Sequence, residues 1–352
     1  MSMNQRYIRQ TLLAEIGEVG QSKLLKSRVA IVGCGGLGSI VAPYLAGAGV
    51  GNLLLIDADK PHVSNLHRQV FFGKIDSDRT KSEALAEHIQ KLNPEINVEL
   101  SREMLSKQNI ERLFKDYELV VECTDDMMCK YLVNDYCAIN NIPLVYGAIH
   151  KFEGYVSVFR NETLNDIHLR DIFPEPQLDI PSCSEVGVLS TIAGLIGLMQ
   201  ANEVIKYILG IGESLIGKLL RYNALDNEQY KMKLKKTFSE NLVERYHSNN
   251  YYTLSCAGQL EITAEQLQNE RALFQLVSIL EYHEQKDIDE DVAHMPLSNY
   301  DLEDYNKIRT PAVFYCQTGK RSLGLVSRIL AEDPEAEVYS LKGGVKAFFN
   351  QN

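Results

Sequence analysis

Along the first 150 residues the hydrophobic pattern switches between unbroken apolar runs and helical periodicity. "RVAIVG" (28–33) is a continuous β-branched run, which predicts a strand buried on both faces. "LGSIVAPYLAGAG" (37–49) predicts a helix after it and "GNLLLID" (51–57) a second strand, the length of one strand–helix–strand unit. In "RTKSEALAEHIQKLN" (79–93) Leu85, Ile89 and Leu92 share one helical face, as do Ile110, Leu113 and Phe114 in "NIERLFKDY" (109–117). "INVEL", "YELVVECTDD" and "IPLVYGAI" supply further strands. This alternation predicts an α/β fold, a Rossmann-like doubly wound sheet with crossover helices.

From Gly154 the pattern changes. "GYVSVF" alternates like a half-exposed strand, and "NETLNDIHLRDIFPEPQLDIPS" (161–182) is polar, Pro-containing and irregular, which predicts a mobile loop. "GVLSTIAGLIGLMQA" (187–201) predicts a buried helix. The composition turns polar at "TFSENLVERYHSNNYYT" (237–253), so the expected division is a first domain over 1–237, a linker over 238–254 and a second domain over 255–352. In the last part "PAVFYC" reads as a strand, "SLGLVSRILAED" as a helix and "AEVYSLKGG" as another strand, a small second α/β unit.

Composition narrows the function classes. A formal net charge of -11 over 352 residues argues against a nucleic-acid or anionic-membrane surface. The apolar run from Gly187 falls short of the roughly 18 to 20 residues that a membrane span needs. "MSMNQRYIRQ" has no apolar core for a signal peptide, so a cytoplasmic location is expected. The seven cysteines include no CxxC pair, which speaks against a disulfide framework and against paired zinc knuckles.

The candidate chemistry begins at "VAIVGCGGLGS" (29–39), where Gly33, Gly35 and Gly38 form a GxGxxG-type turn between strand and helix. Such a turn offers backbone N–H groups and a helix N-terminus to a phosphate, and Asp57 stands at the distance of a ribose-binding acid. NAD, a flavin and ATP all fit the turn. The tract "DADKPHVSNLHRQVFF" (57–72) then places Asp59, Asn65, Arg68 and Gln69 behind the second strand, with Lys81 further on. Two permanent cations near a phosphate turn suit a triphosphate attacked at its α-phosphorus. "ECTDD" brings Asp125 and Asp126 to the carboxyl edge of the sheet, where a carboxylate facing a triphosphate holds Mg²⁺ and an Asp equally well caps the next helix.

"RYIRQ", "GCGGLGS", "DADKPHVSNLHRQ", Lys81 and "CTDD", in this order and spacing, resemble the ThiF and molybdopterin-synthase adenylyltransferase (MoeB) family, relatives of the ubiquitin-activating enzymes, over residues 6 to about 235. The resemblance implies an ATP-dependent adenylyltransferase. Its partner would be a ubiquitin-like sulfur carrier, of the MoaD type that serves molybdopterin synthesis or the ThiS type that serves thiamine. The carrier's C-terminal Gly-Gly carboxylate attacks the α-phosphate, giving an acyl-adenylate and pyrophosphate. Carried over by position, Gly35, Gly36 and Gly38 hold phosphates, Asp57 the ribose, Arg68 and Lys81 the phosphate charge, and Asp125 the Mg²⁺. Asn65 and Gln69 line the nucleotide pocket, and Arg9 reaches across a homodimer interface. Cys183, in "PSCSEVGVL", matches the family's second cysteine, which receives the acyl group or joins a persulfide relay. Two departures stand out. "NDIHLRDIFP" and "YKMKLKK" replace the regions where many relatives carry zinc-binding CxxC pairs, so no zinc is expected, and Asp126 replaces the family's usual Asn.

In "CQTGKRS" Cys316 ends a strand and enters a loop with Gly319, Lys320 and Arg321, a setting that stabilises a thiolate or persulfide. With "ITAEQLQ", "HMPLS" and "YSLKGGVKAFF" it resembles a single-domain rhodanese over about 258–350. A tyrosine phosphatase needs five residues between Cys and Arg, and here there are four. The resemblance implies that Cys316 carries a sulfane sulfur taken from a persulfide donor such as a cysteine desulfurase. Active relatives usually have Asp-Val-Arg where this chain has Ser278 and Leu280 around Ile279, so the support of the sulfur loop is expected to differ. The competing readings are an NAD-dependent oxidoreductase with a regulatory tail and a non-catalytic carrier-binding scaffold.

Overall fold

The computed structural model describes residues 4–176, 187–249, 251, 260–284, 292–299, 308–333 and 336–345. The chain divides after Tyr251 into two compact units.

The first unit is built on an eight-stranded sheet in the order β3-β2-β1-β4-β5-β6-β7-β8. The strands β1 (Arg28–Val32), β2 (Asn52–Ile56), β3 (Asn97–Ser101), β4 (Leu119–Glu122) and β5 (Leu144–His150) run parallel, and β6 (Glu153–Phe159), β7 (Lys218–Asn223) and β8 (Glu228–Lys233) continue antiparallel. The helices are α1 (Asn4–Thr11), α2 (Gly17–Lys26), α3 (Gly38–Ala48), α4 (Lys81–Leu92), α5 (Ile110–Phe114), α6 (Met127–Ile139), α7 (Ser190–Leu209) and α8 (Leu242–Ser248). Two apolar clusters cover the sheet. One joins β1 and β2 to Val41, Leu45, Leu85, Ile89, Ile192 and Ile196, the other joins them to Ile110, Phe114, Leu132 and Val133. The doubly wound arrangement expected from the alternating pattern is present, and strand order reverses between β1 and β4, the switch point where open α/β sheets bind ligands.

Local sequence accounts for the helix ends. Thr80 and Glu83 form a capping box: the Thr80 hydroxyl accepts from Glu83 N–H at 3.3 Å and the Glu83 carboxylate accepts from Thr80 N–H at 2.9 Å, so Lys81 opens α4 in a fixed place. Helix α7 is long and apolar enough to cross a membrane by length and composition, but half of it is buried inside the unit. Its Gly197 lets it approach α3 so closely that a Cβ would meet Ile40 Cβ at 2.9 Å.

Two expectations are corrected. The segment 161–176 is pinned rather than mobile: Arg170 is fully buried, donates to both carboxylate oxygens of the buried Asp135 and to the Pro174 carbonyl (2.9 Å), and lies 4.6 Å from the Tyr131 ring centroid. Asp171 accepts from His168, Thr237 and Phe238 N–H groups at 2.7–2.9 Å, tying this segment to the chain after β8. The expected linker 238–254 likewise belongs to the first unit as far as Tyr251. Asn241 caps α8, Tyr246 packs on Tyr136, Lys107 donates to the carbonyls of His247 and Asn249 at 2.9 Å, and the Tyr251 hydroxyl donates to Asp135. Tyr251 is buried and Tyr246 half-buried although the stretch reads as polar.

The second unit has a five-stranded parallel sheet in the order β11-β10-β12-β13-β9, made of β9 (Glu261–Ile262), β10 (Gln275–Ser278), β11 (Ala293–His294), β12 (Ala312–Tyr315) and β13 (Val338–Leu341). The helices α9 (Ala264–Asn269) and α10 (Lys320–Glu332) complete it. Ser278 and Leu280 are both buried, Leu280 within an apolar cluster.

Removing one partner of a buried ion pair strands the other charge. Arg170→Met should therefore lower unfolding free energy by about 3–5 kcal/mol, read by urea denaturation. His168 gives a pH signature. Burial, with Lys236 nearby, pulls its imidazole from 6.5 down to about 4, and its ring nitrogen accepts from Arg170 N–H. The unfolded chain thus binds the proton more tightly. The contribution of about 3 kcal/mol is fully present above pH 6.5 and is lost as pH falls toward 4. His168→Gln should flatten that part of the stability–pH curve.

Candidate functional site

The site begins where β1 meets α3. A Cβ on Gly38 would lie 1.9 Å from the Gly33 carbonyl oxygen, so only glycine permits α3 to start this close to the strand end. Gly33 itself has φ +87°, and a Cβ there would meet Cys123 and Thr124, the loop after β4, at 3.0 Å. The turn between Gly33 and Gly38 therefore lies against the chain that presents Asp125.

Side chains from other segments stand around this turn. A Cβ on Gly35 would meet Gln69 Nε2 at 3.3 Å, and one on Gly36 would meet Arg68 Cδ at 3.6 Å. Both side chains are held by a short helical turn in which Arg68 and Gln69 N–H donate to the Asn65 carbonyl at 3.1 Å. Asn65 thus contributes its backbone, and its side chain is half-buried. Asp57, at the end of β2, accepts from Cys34 N–H at 2.7 Å and from Asp59 N–H at 2.9 Å, which locks it beside the glycine turn.

The charges are unequally matched. Lys81 donates to Asp59 at 2.9 Å and lies 4.0 Å from Asp57. Burial draws its ammonium down, but Asp57, Asp59 and, further off, Asp125 outweigh that and hold it above the ordinary lysine value. Burial pushes the Asp57 carboxyl upward, against Lys81 and the Cys34 N–H. Arg68 is only 8% exposed and, among the described residues, has no carboxylate partner; its nearest polar contact is His67 Nε2 at 3.5 Å. Gln69 Oε1 is buried with no hydrogen-bond partner among the described residues. A buried cation and a buried amide oxygen, both over a glycine turn and both without a partner among the described residues, fit an anionic, hydrogen-bonding ligand.

Asp125 is exposed at the crevice, while Asp126 caps α6 by accepting from Cys129 N–H at 2.9 Å. The two acids thus divide the two roles the sequence left open, and an Asn at 126 would cap equally well. Arg9 is exposed at the end of α1 and is not among the groups around the turn. Its neighbour Tyr7 is buried and accepts from Asn93 Nδ2 at 2.8 Å, which anchors α1 and leaves Arg9 facing outward. Cys183 lies outside the described residues. Among them no group of three His, Cys, Asp or Glu side chains is arranged to hold a metal ion.

In the second unit Cys316 follows β12 and is fully buried, with Ser322 Oγ donating to its sulfur at 3.7 Å. Arg321 is held by Glu284 at 2.7 Å, and Glu281 fixes Ser298 through its N–H and hydroxyl. The loop closes on itself, since a Cβ on Gly344 would lie 2.2 Å from the Cys316 carbonyl. Ser278 and Leu280 leave no stranded charge here, because Ser278 Oγ accepts from Leu280 N–H and Leu280 is packed among apolar groups. Sequence reasoning missed Glu284 and the buried pair Glu122–Lys130. A charged residue ending the apolar run "LVVE" was the available signal for Glu122.

Residues 7–243 match the ThiF family. The chain belongs to that family. It is 39% identical over 236 residues to the sulfur carrier protein adenylyltransferase of Thermus thermophilus, covering 66% of this chain and 87% of that one. It is 40% identical over 225 residues to the adenylyltransferase/sulfurtransferase MoeZ of Mycobacterium tuberculosis, covering 63% of this chain but only 57% of the relative. The first unit's fold resembles Escherichia coli MccB, solved with AMPCPP and MccA, with a TM-score of 0.59 at 22% identity over 68% of this chain and 75% of that one.

Arg68, without a carboxylate partner among the described residues, yields a two-sided expectation. Arg68→Met should raise the melting temperature of the ligand-free protein, by about 1 kcal/mol in stability, while abolishing the upward shift that ATP produces. Differential scanning fluorimetry with and without ATP reads both.

Proposed function

We propose that this ThiF-family chain adenylates the C-terminal Gly-Gly carboxylate of a ubiquitin-like sulfur carrier and helps convert it to a thiocarboxylate. The observation that carries the reading is the buried Arg68, set over the glycine turn without a carboxylate partner among the described residues. Arg68 would balance phosphate charge, Lys81 would exchange part of its pairing with Asp59 for the same charge, and Asp57 would hold the ribose. Asp125, exposed beyond the end of β4, would hold Mg²⁺, which would supply further neutralisation of the triphosphate. Arg9 would enter the site of a second copy in a homodimer. No side-chain nucleophile is needed for adenylation: a carrier carboxylate oxygen bonds to the α-phosphorus and pyrophosphate leaves.

The second unit supports a rhodanese-like sulfurtransferase role. A donor such as a cysteine desulfurase would load Cys316 as a persulfide, with Ser322 and the loop N–H groups holding the sulfur. The outer sulfur then attacks the acyl carbon and AMP leaves. A thiol, for which Cys183 is the candidate, attacks the Cys316 sulfur, releasing thiocarboxylate and leaving a disulfide that an external thiol reduces. The MoaD type is the first carrier to try and the ThiS type the other arm.

The test incubates the protein with ATP, Mg²⁺ and each carrier and reads carrier mass and ATP–pyrophosphate exchange. Carrier-dependent exchange is expected, lost at least about 100-fold in Arg68→Ala and Asp125→Ala. Cys316→Ala should keep exchange and fail to form thiocarboxylate. Normal thiocarboxylate formation by Cys316→Ala with the same donor would refute the relay role.

A further inference from the structure

The loop that presents Asp125 is held from beneath by groups outside the sequence motifs. Glu122, the last residue of β4, is fully buried. One of its carboxylate oxygens accepts from Thr124 N–H at 2.7 Å and from the Thr124 hydroxyl at 2.5 Å. The other accepts from the ammonium of Lys130, on the buried face of α6, which also donates to the Gly147 carbonyl in β5 at 3.0 Å. The Glu122 carbonyl in turn accepts from Gln200 Nε2 of α7 at 2.8 Å. On the far side of Asp125, the Asp126 cap fixes the start of α6. Residues 124 and 126 are therefore tied down, and the residue between them is the exposed one.

Stability alone is a weak reason for such a pair, because desolvating two charges offsets most of their attraction and an apolar pair of the same volume does as well. The Thr124 N–H and hydroxyl converge on one Glu122 oxygen, and a carboxylate buried at that depth requires a cation. We propose that Glu122 and Lys130 are positioning residues that hold residues 124–126 so that the Asp125 carboxylate is pre-set for the Mg²⁺ of a bound Mg–nucleotide. This rests on the reading of Asp125 given under the proposed function. Groups that orient a metal-holding carboxylate typically change metal affinity by about 10- to 100-fold when removed.

The test titrates Mg²⁺ into the full-length protein with a non-hydrolysable ATP analogue, by calorimetry, and measures analogue affinity in EDTA and the melting temperature alongside. Lys130→Met should raise the half-saturating Mg²⁺ by about 10- to 100-fold and leave affinity in EDTA unchanged, and Lys130→Arg should recover most of the loss. If Lys130→Met does not fold, the double variant Glu122→Leu/Lys130→Met removes both charges together with the acceptor for Thr124 and is read in its place. Wild-type Mg²⁺ dependence in these variants, or an equal loss of affinity in EDTA, overturns the positioning role. Asp125→Ala separates the two levels. If it keeps wild-type Mg²⁺ dependence, the reading of Asp125 falls; if it is impaired and Lys130→Met is not, only the positioning role falls.

Discussion

The approach of Gly38 to the Gly33 carbonyl is the constraint on which the first unit's site depends. With no Cβ at 38, α3 begins directly at the end of β1, and the turn between them closes against the loop after β4. A strand order that reverses between β1 and β4 then leaves this turn at the mouth of a crevice. Arg68 and Gln69, from the tract after β2, and Lys81, from the first position of α4, reach the same edge because β2, the strand that precedes them all, is a neighbour of β1.

Charge is distributed there in a way that a purely structural site would avoid. Lys81 is answered by Asp57 and Asp59, whereas Arg68 is buried over the glycines without a carboxylate among the described residues. Folding sets this cation in place before any ligand arrives, so the electrostatic cost falls on the empty protein and the benefit on the loaded one. The second unit does the opposite. Its Arg321 is already paired with Glu284, and its sulfur is buried beneath a loop closed by glycines. Chemistry at Cys316 therefore needs the sulfur to extend outward or the loop to open, whereas the first unit's site waits half-exposed.

The strands, the glycine turn and the acids at the sheet edge were legible because each is local: unbroken β-branched runs, glycines at fixed spacing, and polar residues ending apolar strands. Asp125 and Asp126 were legible only as a pair, since which one caps α6 depends on backbone geometry at the loop. The Glu122–Lys130 pair escaped because its members stand eight residues apart on a strand and a helix, and period alone does not say which charges meet. The same holds more strongly for Arg170, Asp135 and Tyr251. Polar, Pro-containing sequence looks the same whether its polar groups face water or satisfy one another inside, and so the segment before Cys183 read as mobile and the one before Tyr251 as a linker.

That buried cluster also says where the chain can be divided. A fragment ending at 237, the boundary that composition suggests, would discard Phe238, which covers Arg170 and donates its N–H to Asp171, and Tyr251, which answers Asp135. One ending at 251 keeps them all. The seam of this protein lies fourteen residues beyond the point where its polarity changes, inside a stretch whose tyrosines fasten the first unit shut before the chain moves on.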